Sequence, residues 1–303
     1  MDWLKSRGRN DWRQTTVWIA HLLQMPDSGA TVLFRRAEAL FLVLALLGCA
    51  MRHYHGLPIT PATAAVRAIS GGCAFVSLPN SDQLSIALDC ASSIALDNGA
   101  FPAWRSGRPV EDWEPYYEWV AELHRYPVFD FAVIPDVIDG DEKANDALLN
   151  EWPWRLTAPH VGAPVWHLHE SLERLDRLVS QWPRICLGSS GEFAQIGTPR
   201  WWTKMAEAMD IICDRSGRPA SKIHGLRMLD PAIFTRFPFA SADSTNIGRN
   251  IGIDSAWRGT YTPPTKEARA AIMRERIESQ QSPIFWERRH APIQEPLFMQ
   301  VAA

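Results

Sequence analysis

The feature that most constrains the fold of this chain is an alternation of short β-rich runs and amphipathic stretches, which begins directly after Met51. Such alternation is typical of a parallel sheet whose strands are joined by crossover helices. Eight predicted strands within about 190 residues favour an α/β fold closed into a TIM-like (β/α)8 barrel over an open sheet. The predicted strands are His53–His55, Ala74–Leu78, Ser93–Leu96, Phe129–Ile134, Pro164–Leu168, Arg184–Gly188, Lys222–Arg227 and Phe237–Ala240.

The stretches between these strands carry apolar residues at helical spacing, except for the connection from Leu78 to Ser93, which has no clear helical pattern. The predicted helices are Thr60–Ser70, Val110–Arg125, Asp141–Leu156, Ser171–Trp182, Pro199–Arg215 and Pro231–Arg236, followed by a charged helix at Lys266–Ser279. We therefore predict a catalytic barrel over residues 51–262, and a C-terminal helix with an irregular tail over residues 263–303.

Residues 1–50 differ from the rest and are predicted to be an N-terminal extension outside the barrel. Their one apolar run, Ala39–Ala50, is too short to span a bilayer and lies late in the chain for a signal peptide. Two interpretations remain open: a helical appendage, or a start assigned too far upstream, with Met51 as the natural first residue. Neither predicts a membrane protein.

The composition narrows the class of protein. The chain has 303 residues, a formal net charge of −3 and 46% hydrophobic residues, which excludes a disordered or strongly basic protein. Its five cysteines include no close pair, which argues against a disulfide framework and favours a reducing, cytoplasmic setting. Because the net charge is near zero, contact with nucleic acid would require a local basic patch.

Polar side chains cluster where the predicted strands end, which is the edge that carries function in a (β/α)8 barrel. Acidic residues follow three strands, at Asp97, Asp136 and Asp243. Three carboxylates facing one cavity suit chemistry at the acetal-like carbon of a nucleoside, where one can attack and another can move a proton. The residues alone leave those roles open.

Four short motifs, in the correct order, resemble the tRNA-guanine (queuine) transglycosylases over about residues 51–260. Asp97–Phe101 is similar to the Asp-Ser-Gly-Gly-Phe motif of that family, and Val133–Asp136 looks like its next strand. Leu187–Glu192 resembles the loop that contacts the base, and Ser241–Asp243 occupies the place of the nucleophile strand.

The family's C-terminal zinc subdomain has three clustered cysteines, whereas the last cysteine here is Cys213, so that subdomain is expected to be missing. The pattern, including His53–Gly56, looks most like the DpdA-type branch (deoxypurine in DNA), in which many members are encoded by phages. This resemblance implies exchange of guanine in DNA for a 7-deazaguanine such as preQ0. It implies no metal or other cofactor, and partners that include DNA and other DNA-modification proteins.

The resemblance also implies residue roles. Asp243 would be the nucleophile, Asp97 the general acid and base, and Asp136 the residue that recognises the purine. Trp166 is expected either to line the pocket or to pack in the core. Arginines of the loops and tail would contact phosphates: Arg249, Arg258, Arg274 and Arg276. The remaining expected substrate-binding residues are Asn98, Gly99, Phe101, His167, Gly188, Ser189, Ser190, Gly191 and Arg227.

Three other functions stay open at this point. A metal-dependent hydrolase of the amidohydrolase type would use histidines on barrel strands together with an aspartate, here His53, His55, His167, His169, His224 and Asp243. A tRNA-guanine transglycosylase would keep the chemistry and change the substrate. A non-catalytic subunit of a DNA-modifying complex would need no catalytic residues, and this interpretation leaves the three aspartates unexplained.

Overall fold

The computed structural model describes residues 50–253, 257 and 261–288, and within them nine parallel strands surround a common interior. Neighbouring strands pair in the order β5-β4-β3-β2-β1-β9-β8-β7-β6. The strands are β1 (Arg52–Gly56), β2 (Cys73–Ser77), β3 (Ser93–Asp97), β4 (Phe129–Val133), β5 (Gly162–Ala163), β6 (Val165–His167), β7 (Arg184–Gly188), β8 (Lys222–Gly225) and β9 (Ser241–Ser244).

Strands β5 and β6 are two halves of one barrel strand that is interrupted at Pro164. The first half pairs with β4 through Ala132 and Gly162, and the second pairs with β7 through Val165 and Cys186. Proline has no N–H to donate, so the ladder breaks there and each half keeps a single neighbour. Counted this way, eight strands close the ring, which confirms the predicted TIM-like (β/α)8 barrel.

Helices follow the strands and cover the outside of the ring. Their apolar faces bury residues such as Val120, Leu178 and Trp201 against the strands. The helices are Ala62–Ile69, Leu84–Cys90, Ala100–Arg105, Glu114–Leu123, Glu142–Glu151, Leu172–Gln181, Pro199–Ile212, Pro231–Phe234, Asn246–Asn250 and Lys266–Glu278, with 3-10 turns at Leu78–Gln83 and Gly191–Phe193. None of the helices in the described part of the chain is both long and apolar enough to cross a membrane.

Two predicted elements are wrong. The eighth barrel strand is Ser241–Ser244, whereas the aromatic run predicted as that strand, Phe237–Ala240, precedes it. Phe237 stacks on Trp202 and Trp286, with ring centroids 5.6 and 5.7 Å apart, so its hydrophobicity reflects packing against the helix Pro199–Ile212 and the segment that contains Trp286. The connection after β2, which showed no helical pattern, forms a 3-10 turn followed by the helix Leu84–Cys90.

The chain that follows residue 261 covers the amino-terminal end of β1. The Met51 backbone N–H donates to Gln281 at 3.0 Å, and the Ser282 hydroxyl donates to the carbonyl of Phe234 at 3.0 Å. Trp286 donates its backbone N–H to Gly217 at 2.7 Å. Residues 263–288 therefore pack against the barrel. Residues 1–49 of the predicted extension 1–50, and residues 289–303 of the predicted tail, lie outside the described residues.

The inside of the barrel is filled by aromatic and small side chains near its amino-terminal end. Tyr54, Phe75, Phe131 and His224 pack edge-on or stacked with ring centroids 5.0 to 6.3 Å apart. Beneath them the Tyr54 hydroxyl donates to Asp130 at 2.6 Å. This aromatic cluster fills the interior at the amino-terminal end of the strands.

Candidate active site

A cavity of about 340 Å³ opens at the carboxyl ends of the strands. Its volume lies at the lower end of the range of about 300–1,000 Å³ that is usual for small-molecule sites. The predicted site residues that line it are Asp97, Asn98, Phe101, Asp136, His167, Gly188, Ser189, Ser190, Arg227 and Asp243. Gly99 and Gly191 are not among the lining residues, and other lining residues include Phe75, Ser77, Asn80, Arg105, Leu226 and Arg249.

Asp97 ends β3 and is the carboxyl group whose protonation the site perturbs most clearly. Burial raises its pKa to about 7, and the nearby charges of Asp243 and Asp136 act in the same direction. The backbone N–H of Gly99 and the hydroxyl of Ser77 oppose the shift without cancelling it. A carboxyl group with a pKa near neutral pH can both donate and accept a proton, as general acid–base catalysis requires.

Asp136 follows β4 and is held from two sides. Asn98 donates from Nδ2 to Asp136 at 2.8 Å and also to the carbonyl of Ile134 at 3.0 Å. Nε2 of His167 lies 3.0 Å from the other carboxylate oxygen of Asp136, and its Nδ1 lies 3.2 Å from the hydroxyl of Ser190. The imidazole thus stands between a carboxylate and a hydroxyl, which orders one wall of the cavity.

Asp243 lies on β9 and is 4% exposed. One of its oxygens accepts the backbone N–H of Arg227 at 2.9 Å and lies 3.3 Å from Nε2 of His224. Burial lowers the pKa of His224, whose Nδ1 lies 2.8 Å from the hydroxyl of Ser241. The second carboxylate oxygen of Asp243 has no hydrogen-bond partner among the described residues, so it is available to a bound molecule.

Arg227 is the single non-glycine residue of the described chain with a positive φ, at 60°. This left-handed conformation is costly for a residue with a Cβ and is typical of functional sites. It aims the backbone N–H at Asp243, while the guanidinium lies 4.0 Å from the ring centroid of Phe101 and donates to the carbonyl of Ser189. Arg227 therefore joins loops that follow three different strands.

Neighbouring atoms approach two glycines of the site so closely that a side chain would collide with them. Gly99 has a φ of 78°, and a Cβ there would lie 2.6 Å from the ring of Pro79. A Cβ at Gly188 would lie 2.9 Å from Nδ1 of His167. Glycine at these positions keeps the turn after Asp97 and the orientation of His167 intact.

The sequence reasoning missed a buried ion pair that supports this wall. Glu170 accepts the backbone N–H of His167 at 2.9 Å and pairs with Arg174 at 2.6 Å, and both charged side chains are at most 1% exposed. Asn145 also donates to Glu170 at 2.9 Å. The signal in the sequence was an acid four residues before an arginine at a helix start, a spacing that is common on solvated helix surfaces.

The histidines proposed for a metal-dependent hydrolase do not form one cluster. His167 and His169 stack with ring centroids 5.6 Å apart and His224 contacts Asp243, but His53 and His55 contact the C-terminal segment instead. Nε2 of His53 lies 3.0 Å from the carbonyl of Gln280, and Nε2 of His55 lies 3.1 Å from Glu278. Successive residues of a strand point to opposite faces, so Tyr54 fills the barrel while His53 and His55 on either side of it point outwards. Within the described ranges, no group of three or more His, Cys, Asp or Glu side chains is arranged to hold a metal ion.

The arginines expected to contact phosphate do not all lie at the cavity, and neither does Trp166. Arg249 lines the cavity, whereas Arg274 donates to Ser70 and Glu278 on the outside of the barrel, and the Arg276 guanidinium lies over the ring of Trp257. Arg258 lies outside the described residues. Trp166 is fully buried, donates from Nε1 to the carbonyl of Ser171 at 3.0 Å and does not line the cavity, so its role is packing.

Comparison with known proteins bears on the fold. A solved structure described as a fructose-1,6-biphosphate aldolase from Coccidioides immitis is 13% identical, with a TM-score of 0.50 over 80% of this chain and 96% of that chain. A mutant tryptophan synthase alpha-subunit from Pyrococcus furiosus is 10% identical, with a TM-score of 0.45 over 76% of this chain and 97% of that chain. At such identities the likeness to the aldolase shows the fold alone. No protein-family model and no curated protein matches the chain.

Proposed function

We propose that this chain is an enzyme, a base-exchange transglycosylase that replaces guanine in DNA by a 7-deazaguanine. The observation that carries the proposal is the convergence of Asp97, Asp136 and Asp243 on one cavity, with the pKa of Asp97 raised to about 7. The order of motifs that resembles guanine transglycosylases supports it. The proposed roles are nucleophile for Asp243, acid and base for Asp97, and recognition of the purine for Asp136.

In the first step, a carboxylate oxygen of Asp243 attacks C1′ of the deoxyguanosine. The C1′–N9 bond breaks, its electron pair goes to the departing guanine, and the proton of Asp97 neutralises that base. A pKa near 7 keeps about half of the Asp97 side chains protonated at neutral pH, so the acid form is present when it is needed. The product of this step is a covalent ester between Asp243 and the sugar.

In the second step, the ionised Asp97 removes the N9 proton of the incoming 7-deazaguanine. The nitrogen then attacks C1′, the ester bond to Asp243 breaks, and its carboxylate is restored. Two displacements at C1′ return the sugar to its starting configuration, as in other double-displacement reactions of glycosides. The hydrogen bond from the Arg227 backbone N–H stabilises Asp243 each time its carboxylate leaves.

The target base has to leave the DNA stack to reach these groups, because the cavity lies within the ring of strand ends. Extrusion of a base costs a few kcal/mol and is least costly in single-stranded DNA. Asn98 and His167 hold Asp136 at the wall of the cavity, and His167 in turn contacts Ser190. These polar groups provide hydrogen-bonding partners for a purine edge. We therefore expect exchange to be faster on single-stranded than on duplex DNA.

The experiment is transfer of labelled guanine or preQ0 by purified protein, offered single-stranded DNA, duplex DNA and tRNA side by side. We expect label in DNA and, after acid quenching, a covalent protein–DNA adduct. Asp243→Asn should abolish both. Asp139→Asn is the matched control, because Asp139 is exposed and does not line the cavity.

Each alternative gives a different result. Label in tRNA alone would keep the chemistry and change the substrate. Exchange that survives in Asp243→Asn would overturn the assignment of the nucleophile. Absence of both label and adduct on every substrate would contradict a transglycosylase and favour the non-catalytic subunit.

A further inference from the structure

Three arginines stand at the mouth of the cavity without a described carboxylate partner. Arg105 ends the helix after β3, Arg227 follows β8, and Arg249 lies on the short helix after β9. All three are solvent-exposed and line the cavity. In the described part of the chain, neither Arg105 nor Arg249 makes a hydrogen bond or an ion pair through its side chain.

Several other arginines of the barrel, in contrast, form ion pairs with carboxylates. Arg52 and Arg184 both pair with Asp130, and Arg174 pairs with Glu170. At the mouth, partial burial of its guanidinium lowers the pKa of Arg227. The charge of Asp243 opposes this shift, and the positive charges of Arg249 and Arg105 act in the same direction as burial. Like charges gathered around an opening repel one another, and an anion bound between them would relieve that repulsion.

We propose that Arg105, Arg227 and Arg249 form a binding site for the phosphate of a nucleotide whose base occupies the cavity. The loops after the seventh and eighth strands of a TIM barrel are a frequent place for phosphate binding, and they supply Arg227 and Arg249 here. Guanidinium groups suit this ligand because they bind phosphate oxygens in a bidentate manner. The inference rests on the proposed function for the identity of the base.

A phosphate bound at this site would also help to position C1′ next to Asp243. Arg227 donates its backbone N–H to Asp243, so the residue that contacts the phosphate is one hydrogen bond from the carboxylate that attacks C1′. Its guanidinium is fixed by the carbonyl of Ser189 and the face of Phe101. A phosphate held there would limit where the sugar lies and hence which atom meets Asp243.

The phosphate can come from a free nucleotide or from the backbone of a polynucleotide. We would measure equilibrium binding of deoxyguanosine, dGMP and a short single-stranded deoxyoligonucleotide that contains one guanine. We expect dGMP or the oligonucleotide to bind at least about tenfold more tightly than deoxyguanosine, which lacks phosphate. The double variant Arg105→Gln, Arg249→Gln should remove that advantage and leave deoxyguanosine binding unchanged.

The matched control is Arg108→Gln, since Arg108 is an exposed arginine close to Arg105 that does not line the cavity. Loss of affinity confined to the oligonucleotide would identify a phosphodiester as the ligand, whereas loss for dGMP as well would identify a free nucleotide. For the oligonucleotide, log affinity falls as log salt concentration rises, and each arginine removed should make this negative slope shallower by roughly 0.7.

The proposal is overturned if deoxyguanosine and the phosphorylated ligands bind equally, or if the double variant changes affinity no more than Arg108→Gln does. These outcomes are independent of the exchange assay. Phosphate-dependent binding without exchange would keep the site and reject the transglycosylase. Exchange with phosphate-independent binding would reject the site and keep the transglycosylase.

Discussion

Replacing Asp97 with asparagine should make the protein more stable at alkaline pH, and this effect should disappear in acid. The folded protein raises the pKa of Asp97 from its ordinary value of 3.8 to about 7, mainly because the carboxyl group is buried and secondly because Asp243 and Asp136 are close. The folded state therefore binds the Asp97 proton more tightly than the unfolded state does. Asparagine resembles the protonated form at every pH.

The sign and size of the effect follow from linkage between protonation and folding. Below about pH 4 Asp97 carries its proton in both states, and its stabilising contribution is fully present. That contribution is lost as the pH rises from about 4 to about 7, where the folded protein also loses the proton. A rise of roughly three pKa units, at about 1.36 kcal/mol each, sets the total near 4 kcal/mol.

The assay is urea unfolding of the wild type and Asp97→Asn at about pH 4.5 and about pH 8. We expect the variant to gain several kcal/mol relative to the wild type between the two pH values, because contributions from titrating groups that do not interact with Asp97 cancel in the difference. Asp139→Asn, which alters an exposed carboxylate, should show almost no such change. An equal difference between variant and wild type at both pH values would refute the reasoning.

Three further predictions concern the same wall of the barrel. Asp243→Asn removes a like charge and should lower the pKa of Asp97, as followed by carboxyl-carbon NMR against pH. Gly99→Ala should destabilise the protein by about 2 kcal/mol or more, because it combines a positive φ with a collision. Glu170→Gln should cost about 2 kcal/mol in thermal or urea unfolding, because it weakens the buried hydrogen bonds to Arg174 and leaves that arginine paired only with the partly exposed Asp146.

Matched variants separate the causes in these experiments. Gly107→Ala has a φ of 70° but open space around the added methyl group, so it should cost less than Gly99→Ala by the contribution of the collision alone. Glu173→Gln changes an acid on the helix that also carries Arg174, without breaking the buried pair, and should be nearly neutral. A pKa of Asp97 that stays near 7 in Asp243→Asn would show that the charge of Asp243 does not contribute to it.

The sequence was sufficient to predict that polar residues gather at one edge of the barrel, although the predicted Gly99 and Gly191 do not line the cavity and Arg105 was not predicted. Parallel strands all point the same way, so residues that follow their carboxyl ends must gather at one edge whatever the details of packing. Asp97, Asp136 and Asp243 were located by this rule, together with His167 and Arg227. Their chemical roles remain predictions, because proximity to a cavity does not identify a reaction.

Strand boundaries were less predictable where hydrophobic residues serve the outer layer. Phe237 and Phe239 are as apolar as strand residues, but Phe237 stacks on the helix residue Trp202 and Phe239 stacks on Phe237, and the backbone joins the sheet only from Ser241. Hydrophobicity records that a side chain is buried and does not record which partner buries it.

The alternation of elements and the polar strand ends were thus determined by the sequence alone, since both are local properties of the chain. The tertiary structure decided the direction of His53 and His55, the pairing of Glu170 with Arg174 and the grouping of arginines at the mouth. It also decided the pKa of Asp97, which depends on burial and on carboxylates contributed by two distant strands. Electrostatic interactions depend on distance in space, and the fold alone sets that distance for residues far apart in sequence.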